Sequence, residues 1–139
     1  FFLFGIIALT MGISWLSQPE PWLEDKIAHE TNLNESFKDL FKREGNDNLP
    51  LYLTNIYRFF GLWVSSTGAL TLIFTYLTRL GTPLSRALIQ GVYLILLFGA
   101  TYLLYVYIPN SHFKYLAGAF WVLYGISFWS GIQLNKFDN

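Results

Sequence analysis

Few side chains in this sequence are equipped for chemistry, and most of them stand in one stretch. Eight of the nine acids lie between Glu20 and Asp47. His29 follows Asp25 by four residues and adjoins Glu30, a spacing that would put His29 and Asp25 on one helix face. A metal centre needs more ligands at fixed spacing, and the other histidine, His112, lies far along the chain. His29 therefore reads as a solvated surface residue. The absence of cysteine removes thiolate ligands, disulfides and thiol nucleophiles. No nucleophile–base pair or Gly-rich phosphate loop is visible. Asn34-Glu35-Ser36 matches the glycosylation triplet, a short pattern that recurs by chance.

Arg58 is the charged residue nearest an apolar interior. At that depth a guanidinium either pairs with an acid such as Glu44 or Asp47, or holds a headgroup phosphate, or snorkels to the interface. A full apolar run, Phe59 to Leu77, begins after it, which favours snorkelling. Trp63, Phe98, Phe120, Trp121, Tyr124 and Phe128 fall mid-run. Buried Trp and Tyr need partners for their polar atoms, so Trp63, Trp121 and Tyr124 are, with Arg58, the candidate lipid- or partner-contact residues. No catalytic or metal-binding residue is assigned, and no cofactor is expected.

The elements that position these residues follow from hydropathy. Of 139 residues, 53 % are hydrophobic and 13 % charged, about half the charge of a soluble domain. Residues 59–78 contain no Asp, Glu, Lys, Arg or His. The pattern predicts an all-α integral membrane four-helix bundle forming one transmembrane domain. Its spans lie at about 1–16, 59–78, 87–108 and 113–132. No period-two alternation supports a β-barrel. The first run is slightly short and begins at Phe1, so further residues are expected before it. Without a basic n-region or a small-residue cleavage site, it reads as a retained helix and not as a signal peptide. No span contains His, Asp or Glu, which disfavours imidazole-held haem and membrane-embedded proton relays.

Loop 17–50 is the polar segment. Pro21 can start a short helix with Trp22, Leu23 and Ile27 on one side and Glu24, Asp25 and Glu30 on the other. A second amphipathic helix is expected over residues 31–45, where Leu33, Phe37, Leu40 and Phe41 recur. Asn32 or Asn34 would be its N-cap and Gly45 its C′ residue. These helices would rest on the membrane surface or over the bundle mouth. Leu51–Arg58 is read as a juxtamembrane turn, Arg79–Arg86 as a basic turn, and Asn135–Asn139 as a polar tail.

Gly61, Ser65, Gly68 and Ala69, then Gly91, Gly99 and Ala100, then Ala117, Gly118, Gly125, Ser127 and Gly131 supply small residues for close helix packing. Trp15, Trp22, Tyr52, Tyr57, Tyr107 and Tyr115 form an aromatic belt at one interface and Tyr76 marks the other. Both termini are placed inside and the acidic loop outside.

Tyr57-Arg58-Phe59-Phe60-Gly61, the Gly68-Ala69-Leu70 step and the basic turn at Arg79 resemble the DoxX-like group of small bacterial four-helix membrane proteins. The resemblance covers about residues 51–132 and implies a bacterial inner-membrane accessory or redox-associated component, with no catalytic motif to carry over. The chain also resembles the EXPERA sterol-isomerase-like group in span number, but lacks the in-span acids of those enzymes. The leading expectation is a non-enzymatic accessory subunit of a larger membrane complex, in contact with lipids and other membrane subunits. A binder of a quinone, sterol or carotenoid among the mid-span aromatics, and a DoxX-like redox component, are the alternatives. Zero formal net charge gives no basic face for nucleic acid.

Overall fold

The computed structural model describes residues 1–137, and every regular element among them is helical. Helix α1 (Phe2–Ser17) covers the first expected span and ends as the chain meets Pro19 and Pro21, which remove backbone donors. Its 16 residues rise about 24 Å, less than the hydrocarbon thickness.

Loop 17–50 is more finely divided than its apolar spacing predicts. A 3₁₀ turn, Pro21–Asp25, leads into α2 (Lys26–Leu33), and α3 (Phe37–Leu40) follows. The continuous helix expected over 31–45 is absent. Asn34 closes α2 in the left-handed region at φ 53° instead of opening a new helix. Ser36 is the N-cap of α3, its hydroxyl accepting the Asp39 N–H at 3.1 Å. Leu33 is exposed while Phe37 is buried, so the two never share a helix face. Gly45 does take a positive φ, 88°, in the turn that follows.

Three long helices complete the chain: α4 (Leu49–Thr78), α5 (Pro83–Tyr107) and α6 (Phe113–Phe137). Each is long and apolar enough to cross a membrane, whereas α1 is a shorter apolar helix. Among the described residues there are thus three helices of spanning length where four spans were expected. The expected turn Leu51–Arg58 is helical. Pro50 stands in the first turn of α4, where a missing N–H breaks no intrahelical bond. The basic turn is shorter than expected, because Thr82 and Ser85 form a capping box that starts α5 at Pro83. At the other end α6 takes in Asn135, leaving only residues 138–139 of the expected tail outside the described residues.

The chain divides into two compact units, Leu3–Leu70 and Thr71–Asn139 with Phe1–Phe2, so α4 contributes to both. In the first unit α1 and α4 approach backbone to backbone. A Cβ added at Gly61 would lie 2.8 Å from the Gly12 carbonyl oxygen, and one at Gly68 would lie 2.8 Å from that of Gly5. One at Gly12 would collide with the Ser65 backbone nitrogen. This is the close packing expected of Gly61, Ser65 and Gly68. In the second unit α5 and α6 form an antiparallel pair, with Ile89, Tyr93 and Leu97 buried on one helix and Ala117 and Tyr124 on the other.

Candidate functional site

The richest polar cluster lies in the first unit, where the 3₁₀ turn and α2 fold onto α1 and the first turns of α4. Pro21 aims the turn, and Trp22 is driven inward by its apolar area. Its indole N–H donates to the Thr54 hydroxyl at 3.3 Å, and its ring meets Phe37 and Phe41 edge-on at 4.9 and 5.2 Å. Phe37 and Phe41 stack on each other at 5.3 Å. These contacts bury the inner face of the segment.

Glu24 is held by three neutral donors on α1 and the residue after it. The Trp15 indole N–H donates at 2.6 Å, the Gln18 amide at 2.6 Å and the Ser14 hydroxyl at 3.3 Å. A partly buried carboxylate with its lone pairs so occupied is fixed in place. One turn later, the His29 Nε2 lies 2.6 Å from the Tyr57 hydroxyl, which belongs to α4. Tyr57 in turn packs edge-on against Trp15 at 5.9 Å. His29 is thus half-buried and paired, not the solvated residue the sequence suggested. Asp25 is 4 % exposed and Ile27 is 76 % exposed, so the apolar side expected of Trp22, Leu23 and Ile27 is split, with Trp22 and Asp25 buried together. Beside the cluster an open, shallow recess of about 410 Å³ is lined by Gln18, Pro19, Glu20, Leu23 and Glu24.

The second unit carries a polar seam between α5 and α6. Arg86, 5 % exposed, donates through Nε and Nη2 to the Asn135 Oδ1 at 3.0 and 2.6 Å, and through Nη1 to the Leu80 carbonyl at 2.8 Å. That carbonyl belongs to a turn in which Arg79 and Leu80 both take left-handed φ, 49° and 51°. The left-handed region is costly for any residue with a Cβ, and the Arg86 contact to the Leu80 carbonyl helps hold the turn. Further along, the Gln90 amide donates to the Ser127 carbonyl at 3.4 Å, and the Tyr124 hydroxyl donates to the Gln90 carbonyl at 3.3 Å. The Trp121 indole N–H donates to the Thr101 hydroxyl at 2.9 Å.

Of the four residues singled out by sequence, Trp121 and Tyr124 come together, ring centroids 6.1 Å apart, inside this seam. Arg58 and Trp63 lie on α4 in the other unit. Arg58 is exposed and makes no hydrogen bond or ion pair with the described residues. Trp63 is 61 % exposed, edge-on to Phe59 at 6.1 Å. The sequence reading missed Glu24, the His29–Tyr57 pair, Arg86 and Gln90. A signal existed for one of them: Thr82-Pro83-Leu84-Ser85 is a helix start, which puts Arg86 in a first turn and not in a loop.

Chemically, both clusters hold structure together. Their polar groups are engaged with each other, and among the described residues no group of three His, Cys, Asp or Glu side chains is placed to hold a metal. Comparison with protein-family models, curated proteins and solved structures finds no match.

Proposed function

We propose that the chain is a non-enzymatic accessory subunit of a larger membrane complex, with α1 as a fourth crossing beside the three long helices. One observation carries this reading. The outward surfaces of α5 and α6 contain four glycines, Gly91, Gly99, Gly118 and Gly125, at which an added Cβ would meet nothing within 4 Å. They stand among exposed Val92, Ile95, Phe98, Val122, Ile126 and Trp129. In lipid, association between helices depends on close van der Waals approach, and glycine notches in an apolar ridge permit it. The glycines of the α1–α4 contact show the same chain using that device internally. The polar atoms of Trp121 and Tyr124 are bonded within the α5–α6 pair, which weakens the case for a quinone, sterol or carotenoid bound there. A bacterial inner-membrane setting and an accessory or redox-associated role are what the resemblance of residues 51–132 to the DoxX-like group implies.

Native mass spectrometry of the chain extracted in nanodiscs tests this. Another membrane subunit retained with the wild type, and lost on Gly118→Leu with Gly125→Leu, is the expected result. A retained apolar small molecule without a partner chain would instead make the protein a binder, and the bare chain alone would also overturn the proposal.

A further inference from the structure

The 3₁₀ turn and α2 have two working faces, and only the inner one is covered by the chain itself. Trp22, Asp25 and Ala28 are buried, while Leu23 is 44 % and Ile27 76 % exposed. Leu23, in the 3₁₀ turn, and Ile27, in the first turn of α2, both stay exposed where Trp22, Asp25 and Ala28 are covered. Lys26, exposed between them, forms only a long 3.8 Å ion pair with Glu30, with half its side chain accessible. A large aliphatic pair beside a lysine is the composition of a helix lying in a headgroup layer.

The contacts of the inner face fix the depth of the outer one. Glu24 meets Trp15 near the end of α1, Trp22 meets Thr54, and His29 meets Tyr57. Trp15 and Tyr57 pack on each other. Tyr57 stands two residues before Phe59, where the uncharged stretch of α4 begins. The segment is therefore tied to the level of the Trp–Tyr pair, the level such rings take at a membrane surface. On α1 and α4 the apolar Ile13, Leu16, Phe59 and Phe60 are likewise exposed.

We infer that the 3₁₀ turn and α2 form an interfacial anchor, with Leu23 and Ile27 inserted among lipid headgroups and Lys26 reaching the phosphates. This rests on the membrane reading above and adds the lipid surface as the partner of this segment.

The sequence contains no cysteine, so single Cys labels are clean. The full chain carrying Ile27→Cys or Ile95→Cys, each with an environment-sensitive fluorophore, would be reconstituted in phosphatidylcholine–phosphatidylglycerol vesicles. The Ile95 label is the internal reference for a membrane-embedded helix. The expected result is quenching of both labels by brominated lipids, with the Ile27 label quenched best by shallow bromines and the Ile95 label by deep ones. Adding Lys26→Glu should reduce the quenching at residue 27 and leave that at residue 95 unchanged. A residue-27 label quenched by aqueous iodide and not by bromolipid, with residue 95 still in lipid, overturns the anchor but not the membrane reading. A residue-27 label shielded from both quenchers also overturns it, since protein would then cover the site. Iodide quenching of both labels would defeat the membrane reading and the anchor with it.

Discussion

Gly12 and Gly68 differ from Gly118 in what stands beside them, though all three are glycines in apolar helices. A methyl group at Gly68 meets the Leu9 backbone, and one at Gly12 meets that of Ser65; at Gly118 it meets open space. Backbone cannot swing aside as a side-chain end can. Gly12→Ala and Gly68→Ala should each destabilise the chain by about 1–3 kcal/mol. Gly118→Ala should stay within about 0.5 kcal/mol of the parent in the isolated chain. Thermal unfolding in detergent, followed by tryptophan fluorescence, distinguishes the two classes. The arginines divide in the same way. Arg58 is exposed and uses neither its fork nor its planarity within the described residues, so Arg58→Lys should assemble like the parent and Arg58→Ala should show a modest loss. Arg86 grips Asn135 through two nitrogens and Leu80 through a third. Lysine cannot copy that fork, so Arg86→Lys should lower the midpoint of unfolding nearly as far as Arg86→Ala. Two parent-like lysine variants would contradict the assignment of Arg86, and two damaged ones that of Arg58.

Among the elements, the polar segment behaves as three short pieces joined by defined stops. α2 ends on left-handed Asn34 and α3 starts from Ser36, so amide protection measured by hydrogen exchange should be interrupted at residues 34–36. A single protected block across 31–45 would restore the continuous helix. Ser36→Ala should cost about 1 kcal/mol at the α3 N-terminus, read as faster exchange at Asp39 and Leu40. Trp22 holds the whole segment, through its rings against Phe37 and Phe41 and its N–H on Thr54. Trp22→Ala should cost about 3–5 kcal/mol and expose residues 21–41 to limited proteolysis while α5 and α6 stay protected.

For the whole molecule the decisive quantity is the number of crossings. α4, α5 and α6 have spanning length, and α1 at 16 residues is short. Flanking Trp15 and local thinning of the bilayer can accommodate a short helix at modest cost. If α4, α5 and α6 cross, reporters fused at Gly81 and at the C-terminus must lie on one side and a reporter near Glu44 on the other, whether or not α1 crosses. If α1 crosses as well, a label at Phe1 must share the side of Gly81. An N-terminal label on the side of Glu44 would leave three crossings and place α1 against the membrane surface.

The chain's own sequence determined where α1 and α5 end, because proline acts locally and needs no partner, whereas run length alone set the starts of α4 and α5 too late. Pro19 and Pro21 stop α1, and Pro109-Asn110 lies between α5 and α6, as read. Small-residue spacing also picked out Gly61 and Gly68 on α4, but not Gly5 and Gly12, the α1 glycines they meet. Which glycines are filled and which lie open was decided only in three dimensions, since Gly61 and Gly68 have the same separation as Gly118 and Gly125. The same holds for the polar segment. Hydropathy grouped Ile27 with Trp22 and Leu23 on one side and set Asp25 on the other, whereas the structure buries Trp22 and Asp25 and exposes Leu23 and Ile27. Amphipathic reasoning assumes that one face meets water. Beside a membrane the outer face can meet lipid, so apolar character no longer tells inside from outside, and only contacts such as Glu24–Trp15 and His29–Tyr57 choose the face.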